Sequence, residues 1–256
     1  MRPEGAERAA SWRLPREAFV SIAVLAVAWQ LLSMASPAIG LPPFAVPSLG
    51  RIWNSLLKIT PIDALVTLAR VGAALLISFL LGLAGAVLMY LSPTLERYGR
   101  PLVRILMAVP VVSWILFAIL WFKWVEFRIA FVLVVVCGPV FLVDALDNMR
   151  EVSSDLRNMV KSFRPTPLQF FVKLIFPATL PGLLTSWKIN LSLAIRVVTI
   201  AELVGAVTGI GHRLAVAQEL FSVADVFAWT LVLVVLLFAL EAILGRFEKR
   251  LLRWRT

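Results

Sequence analysis

The chain has 256 residues, of which 61% are apolar and only 16% are charged. Soluble domains carry about a quarter of their residues as charged side chains, so this composition excludes an ordinary soluble enzyme and indicates a chain that folds in a lipid bilayer. The formal charge of +10 is also found in nucleic-acid-binding proteins, but here the basic residues lie between long apolar segments. Membrane topology explains that pattern better, and we expect no nucleic-acid partner.

Few residues are suited to catalysis or metal binding. Cys137 is the only cysteine and His212 the only histidine, which argues against a disulfide framework, a thiolate or histidine metal site and a catalytic triad. The sequence has no glycine-rich phosphate loop ending in Lys-Ser or Lys-Thr, so any ATP must be hydrolysed by a partner. We therefore expect a chain that is not an enzyme and binds no metal or cofactor itself.

Six apolar windows reach or approach the length of about 20 residues that a spanning helix needs. The first follows four arginines, as in a signal peptide, but its apolar stretch is too long and lacks a cleavage pattern, so we interpret it as a retained anchor. Residues 1–17 then form a tail and residues 18–256 the transmembrane domain. The sequence predicts an all-α polytopic protein with about six transmembrane helices, near residues 18–36, 64–91, 101–122, 128–147, 182–206 and 226–245.

The distribution of lysine and arginine predicts the orientation of these spans. One side of the predicted bundle holds seventeen of these residues and the other side five. Because the richer side faces the cytoplasm, we expect a bacterial inner-membrane protein with both termini in the cytoplasm. On the outer side, Ser48 is suited to cap a short amphipathic helix after the proline-rich break at residues 41–47.

The longest polar segment, residues 148–180, is cytoplasmic by this count. Residues 155–163 have the pattern of a short amphipathic helix that ends near Pro165, and a second helix runs from Leu168 to Phe176 before Pro177. The alternative, from pattern alone, is a plain loop with helical turns.

The fifth span carries a polar face. At about 100° per residue, an arc of about 120° contains Lys188, Ser192, Arg196, Thr199 and Glu202. One interpretation is that this face lines the translocation path, where Arg196 attracts an anionic substrate. The other is a structural network in which Arg196 or Lys188 pairs with Glu202 or with neighbours of Arg70.

Several motifs resemble those of bacterial ABC importer permeases, in their order and spacing. The segment LQFFVKLIFPATLP (168–181) resembles the loop that follows the Glu-Ala-Ala motif of that family. Val109-Pro110, Ala201-Glu202, Thr208-Gly-Ile-Gly211 and the tail from Arg246 to Trp254 look like its nitrate, sulfonate and taurine branch. Arg70 also matches a basic residue of this branch.

The resemblance implies a permease fold and a set of partners. These are a second permease copy forming a homodimer, a cytoplasmic ABC ATPase dimer that binds ATP and Mg, and a periplasmic substrate-binding protein. The cargo implied is a small anionic solute such as a sulfonate, nitrate or bicarbonate, or a vitamin precursor.

The ATPase-coupling motif departs from the family pattern. Asn158, Met159 and Val160 fall at the Glu-Ala-Ala positions, and Arg164 stands where the family has glycine. Because arginine accommodates a positive φ poorly, we expect the turn to be built differently. An apolar face of Met159, Val160 and Phe163 is still predicted to meet the ATPase.

Two other classes remain as alternatives. A secondary transporter would show an inverted repeat with broken helices, and no internal repeat stands out. A membrane enzyme would need clustered acids and histidines, yet the one close acidic group, Asp144, Asp147 and Glu151, has no histidine beside it. A permease with altered ATPase coupling is the third alternative.

Overall fold

The structure is a computed structural model that describes residues 16–38, 40, 42 and 44–252. The predicted N-terminal tail as far as Pro15, and the last four residues of the C-terminal tail, lie outside these residues. Within the described part, every regular element is helical. The helices are α1 Arg16–Ala35, α2 Leu49–Leu56, α3 Pro61–Leu91, α4 Pro93–Ala108, α5 Val111–Trp121, α6 Val125–Glu151, α7 Ser154–Ser162, α8 Pro167–Phe170, a π-helical turn Phe171–Ile175, α9 Phe176–Gly205, α10 Ile210–Glu219 and α11 Val223–Leu251.

Four helical runs are long and apolar enough to cross a membrane. They are α3, α6, the continuous run from α8 through α9, and α11. Helices α4 and α5 pass the same test only as a pair, and they are bent by 90° with respect to each other. The described apolar part of α1, Phe19–Ala35, is shorter.

Pro110 accounts for the bend between α4 and α5. Proline lacks the N–H that would continue the helix, and it disfavours helical backbone at the residue before it. Val109 is accordingly extended, with φ −72° and ψ 127°. The predicted window 101–122 therefore contains the second half of α4 and the whole of α5, with a right angle between them.

The bent pair carries the chain from one end of the bundle to the other. Near the start of α3, Arg70 donates to Glu126 at the start of α6. Near the end of α3, the ring of Tyr90 lies 4.8 Å from the guanidinium of Arg150, which is near the end of α6. Helices α3 and α6 are therefore parallel, so α4 and α5 must return the chain between them.

The core lies where α3, α6 and α9 pack together. Leu75 of α3, Phe141 of α6 and Val198 of α9 are buried there. Gly82 permits the close contact of α3 with α6, because a Cβ added at this position would lie 2.8 Å from the Cβ of Phe141. Small residues have this role in many pairs of membrane helices.

Helix α2 begins at the predicted cap. The Ser48 hydroxyl accepts a hydrogen bond from the Arg51 N–H at 3.4 Å, which confirms the predicted start of this helix. Helix α1 is tied to the same segment, because the indole of Trp29 donates to the Pro47 carbonyl at 3.0 Å. Trp29 also contacts Phe227 of α11, with ring centroids 4.8 Å apart.

Cysteine accessibility tests the proposed orientation. Cys137 is buried, so the natural protein should give little background labelling. In intact cells we expect Lys58→Cys, before α3, to react with a membrane-impermeant maleimide. Lys249→Cys, near the end of α11, should react only after permeabilisation, and the reverse pattern would overturn the orientation.

Candidate functional site

A polar cluster with a buried centre and exposed edges lies where the start of α3, the start of α6 and the end of α9 meet. We call it the Glu202 cluster, and it consists of Asp63, Thr67, Arg70, Glu126, Glu202, Arg213 and the connection at residues 208–211. The cluster joins three long helices to α10 and so lies at one end of the bundle.

Glu202 is at the centre of this cluster and is completely buried, with 0% of its surface exposed. Its carboxylate accepts hydrogen bonds from the Thr67 hydroxyl at 2.9 and 3.0 Å and from Arg70 Nη1 at 2.7 Å. The backbone N–H of Gly211 is a further donor, at 2.9 Å. A buried carboxylate is tolerated only when it is paired and hydrogen-bonded, and Glu202 meets both conditions.

Arg70 connects Glu202 to α6 and to the loop after α9. Its Nε and Nη2 donate to the two carboxylate oxygens of Glu126, at 2.9 and 2.5 Å. Its Nη1 also donates to the Thr208 carbonyl at 2.8 Å, and Nη2 donates to the Thr208 hydroxyl at 3.1 Å. A planar guanidinium suits this arrangement, since its donors reach two carboxylates and a loop at once.

Asp63 and Thr67 hold the same loop from the other side. The Gly209 N–H donates to one carboxylate oxygen of Asp63 at 2.9 Å, and Arg213 Nε donates to the other at 2.7 Å. The Ile210 N–H donates to the Thr67 hydroxyl at 2.9 Å. The N–H groups that precede the first turn of α10 are thereby satisfied by side chains of α3.

Two glycines allow the loop to lie directly on Glu202. Gly209 has φ 107°, and a Cβ there would lie 2.5 Å from Cδ of Glu202. A Cβ on Gly211 would lie 2.6 Å from Cβ of the same residue. Only glycine fits this close approach, which gives the Thr-Gly-Ile-Gly motif a physical reason.

The polar residues predicted to form one face of the fifth span divide among different environments. Lys188 is paired with Glu248 of α11. Arg196 is exposed and donates to the Ser192 hydroxyl at 3.4 Å, within its own helix. The Thr199 hydroxyl donates to the Ile195 carbonyl at 2.7 Å, and Glu202 belongs to the Glu202 cluster.

Helix geometry explains this division. Arg196 and Glu202 lie at opposite edges of the predicted arc, about 120° apart at 100° per residue. Glu202 therefore faces α3 while Arg196 faces outward. The pairing of Arg196 or Lys188 with Glu202 that the sequence suggested is not found. Glu202 pairs with Arg70, Lys188 pairs with Glu248, and Arg196 makes no ion pair with the described residues.

The predicted coupling segment contains α7, a helix with no buried residue. Met159 and Phe163 have 56% and 78% of their surface exposed, Val160 is half-buried, and Asn158 is exposed. The Ser153 hydroxyl caps the helix by accepting from the Leu156 N–H at 3.3 Å. Helix α7 thus occupies the first part of the segment for which the sequence also allowed a plain loop. The predicted end of the second helix before Pro177 is wrong, because the helical run continues from Pro167 to Gly205.

The turn after α7 corrects one expectation. We expected a different turn at Arg164 because arginine accommodates a positive φ poorly, and this expectation is wrong, since Arg164 has φ 49°. Its N–H donates to the Lys161 carbonyl at 2.9 Å, as in a left-handed helix cap, and Pro165 then prevents the helix from continuing. The conformation costs about 1–2 kcal/mol for a residue other than glycine.

A second set of ion pairs lies at the other end of the bundle, next to the start of α7. Glu96 of α4 pairs with both Arg100 and Arg150, and Arg100 also donates to Asp147 at 2.8 Å. Arg157 of α7 donates to the Arg150 carbonyl at 3.3 Å. Asp147 is therefore part of a structural network joining α4 to α6.

Sequence reasoning missed most of the Glu202 cluster. Asp63, Thr67 and Arg70 lie at i, i+4 and i+7 on one face of an apolar window, and this spacing was the available signal. Glu126 and Arg213 lie near helix ends, where charged residues are common, so their sequence positions contain no comparable signal.

Comparison with known proteins identifies the family. Residues 74–253 match the model of the binding-protein-dependent transport system inner membrane component, and the chain belongs to this family. The chain is therefore a permease subunit of the ABC importer type and is not an enzyme, which confirms the resemblance seen in the sequence.

Individual relatives and solved structures agree with this assignment. The chain is 26% identical over 254 residues to the taurine transport system permease protein TauC of Escherichia coli (strain K12), covering 95% of this chain and 92% of TauC. It is 24% identical over 206 residues to the bicarbonate transport system permease protein CmpB of Synechococcus elongatus, covering 80% and 69%. An inward-facing structure of the MetNI methionine ABC transporter has the same fold, with a TM-score of 0.68 at 20% identity over 80% of this chain and 99% of the matched chain.

Alanine substitutions test how the loop is held on Glu202. Gly209→Ala should lower the free energy of unfolding by more than about 2 kcal/mol, because it combines a strained φ with a clash against the Glu202 carboxylate. We expect the thermal unfolding midpoint in detergent to fall by roughly 4–8 °C. Gly205→Ala is the matched control, since its nearest contact would be an ordinary 3.8 Å. Equal midpoints for the two variants would contradict the packing of this loop.

Proposed function

We propose that this permease is the membrane-spanning subunit of an ATP-driven importer that moves a small anionic solute into the cytoplasm. Membership of a binding-protein-dependent family supports an importer. Similar proteins named for taurine, aliphatic sulfonate, bicarbonate and nitrate transport support an anionic cargo, and one named for formylaminopyrimidine transport supports a vitamin precursor.

The observation that carries the proposal is the exposed apolar side of α7. An isolated helix of nine residues is too short to be stable in water by itself, yet α7 is capped by Ser153 and joined to Arg150 through Arg157. Leu156, Met159 and Phe163 are nevertheless exposed. A capped helix with exposed apolar residues is suited to insert into a cleft of a cytoplasmic partner.

The proposed partners follow from this arrangement and from the family. An ABC ATPase dimer would bind ATP and Mg and receive one α7 from each of two permease copies. A periplasmic binding protein would deliver the solute at the opposite side. Helix α7 is joined to α6 by the hydrogen bond from Arg157 to the Arg150 carbonyl, and ion pairs join α6 to α4. Movement of the start of α7 is therefore passed to the membrane helices.

Arg196 is the residue we propose for attracting the solute. It is exposed in the C-terminal half of α9 and, among the described residues, makes no ion pair. Ser192, one turn earlier, accepts a hydrogen bond from it. Lys188 is paired with Glu248 and Glu202 is buried, so these two contribute to the path only indirectly.

A permease with altered ATPase coupling is the second candidate. It is favoured by the sequence at Asn158, Met159 and Val160, which departs from the Glu-Ala-Ala pattern at each position. The left-handed turn at Arg164 favours ordinary coupling, because it has the backbone conformation that glycine adopts readily.

The coupling proposal is tested by Phe163→Ala. Burial of a phenylalanine side chain contributes about 1.5–3 kcal/mol, so its loss should weaken ATPase association by roughly ten- to a hundredfold or uncouple hydrolysis from transport. The measurements are ATPase copurification and substrate-stimulated hydrolysis in the reconstituted complex.

Lys161→Ala is the control for Phe163→Ala. Lys161 lies on the same helix, and its ammonium contacts the ring of Phe170 at 5.9 Å within this chain. This variant should associate and hydrolyse almost as the natural protein does. Wild-type behaviour of both variants would remove α7 from the coupling mechanism.

The proposed role of Arg196 is tested by Arg196→Gln. Loss of one charge in a low-dielectric path should lower uptake of an anionic solute at least about tenfold, which corresponds to roughly 1.4 kcal/mol. Assembly of the complex should be unchanged, because no buried group loses a partner. Arg196→Lys should retain most of the uptake. If Arg196→Gln fails to assemble, the residue has a structural role instead.

A further inference from the structure

A cleft of about 540 Å³ lies along α4, and arginines line it. Arg97, Arg100 and Arg104 follow one another at i, i+3 and i+7, and Pro101 and Ile105 supply apolar walls. This volume is in the range of small-ligand sites. The cleft lies apart from the Glu202 cluster and from Arg196, and the proposed transport mechanism assigns no ligand to it.

The charges of the cleft favour an anion. Glu96, which also lines the cleft, is engaged by Arg100 and Arg150, and Asp147 is engaged by Arg100. Arg97 and Arg104 are exposed and make no ion pair with the described residues. Three arginines and one carboxylate that is already paired therefore line the cleft, which leaves a net positive site with two guanidinium groups that make no ion pair with the described residues.

The surface beside the arginines is apolar and exposed. Tyr98, Leu102 and Ile105 have 68%, 63% and 62% of their surface exposed. At about 100° per residue they occupy the sector of α4 next to the arginines, while Gly99 and Val103 face the bundle. A helix with adjacent basic and apolar faces matches the interface between headgroups and acyl chains.

We propose that this cleft binds the headgroup of an anionic phospholipid of the cytoplasmic leaflet. The phosphate oxygens accept hydrogen bonds from Arg97 and Arg104, whose planar guanidinium groups suit bidentate contact, and the acyl chains lie along Tyr98, Leu102 and Ile105. Arg100 is held in place by Glu96 and Asp147 and adds positive potential. The inference rests on the proposed orientation, which puts the start of α4 on the cytoplasmic side.

A bound lipid at this position would stabilise the base of α7. Glu96 lines the cleft and also pairs with Arg150, whose carbonyl accepts from Arg157 of α7. The lipid composition of the inner leaflet thereby acts on the segment proposed to meet the ATPase.

Fluorescence quenching in nanodiscs tests the proposal on the full chain. Tyr98→Cys is labelled with bimane, and the buried Cys137 should give little background. Quenching by brominated phosphatidylglycerol and by brominated phosphatidylcholine is then compared at equal mole fraction. We expect roughly threefold stronger quenching by the anionic lipid, and loss of this preference when Arg97→Gln and Arg104→Gln are added.

Lys249→Gln with Arg250→Gln is the matched control, because it removes two exposed charges from α11 on the same predicted side. It should retain the preference for the anionic lipid. Loss of the preference in both double variants, or its absence in the natural sequence, would overturn the site. If millimolar inorganic phosphate abolishes the stronger quenching by the anionic lipid, the cleft binds a free anion instead of a lipid.

Two further outcomes separate this inference from the proposed function. If added ATPase subunit or a second permease copy shields the bimane from both lipids equally, a protein covers the cleft and the lipid assignment is wrong. If Lys249→Cys labelling shows the opposite orientation, the proposed topology is wrong, and the assignment of the cleft to a lipid of the cytoplasmic leaflet is wrong with it. If the variant with Arg97→Gln and Arg104→Gln loses the lipid preference but keeps ATPase coupling, the lipid site is supported and the importer proposal is unaffected.

Discussion

The ion pair of Arg70 with Glu202 is the constraint on which the rest of this permease depends. A carboxylate and a guanidinium buried among apolar helices cost several kcal/mol each unless every polar atom is matched. The fold meets that requirement by bringing Thr67, Glu126 and the loop of residues 208–211 to the pair. The relative positions of α3, α6 and α9, and the start of α10, follow from satisfying these two side chains.

At the opposite end of the bundle, a more exposed network of ion pairs also joins neighbouring helices. Glu96, Arg100, Asp147 and Arg150 tie α4 to α6, and Arg157 extends the connection to α7. These groups are partly solvated, so loss of one partner should cost less here than in the buried pair. Between the two polar ends, the helices are held by apolar packing and by close backbone contact at Gly82. Among the described residues, the charged groups without an ion pair therefore lie at the surface of the bundle.

The functional surfaces we propose are those that the internal networks do not use. Phe163 and Met159 project from α7, Arg196 projects from α9, and the arginines at positions 97 and 104 project from α4. In a membrane protein, an exposed arginine or a cytoplasmic apolar side chain is costly unless water, lipid or another protein covers it. Each of these surfaces therefore has a proposed occupant of matching chemistry: the ATPase for α7, the solute for α9 and an anionic headgroup for α4.

The membrane class, the helical architecture, the cap at Ser48 and the family could all be predicted from the amino-acid sequence, because apolar length, helix-start residues and motif order are local properties of the chain. The sequence did not determine which polar residues of α9 meet other helices. Arg196 and Glu202 share one polar arc, and only the packing of α3 against α9 decided that Glu202 is buried with Arg70 while Arg196 is exposed. Nor did it reveal the positive φ of Arg164, since the cost of that conformation is offset by a hydrogen bond to Lys161 and by Pro165 ending the helix. Contacts between residues more than a hundred positions apart, such as Asp63 with Gly209, depend on how whole helices pack, and that was decided by the tertiary structure alone.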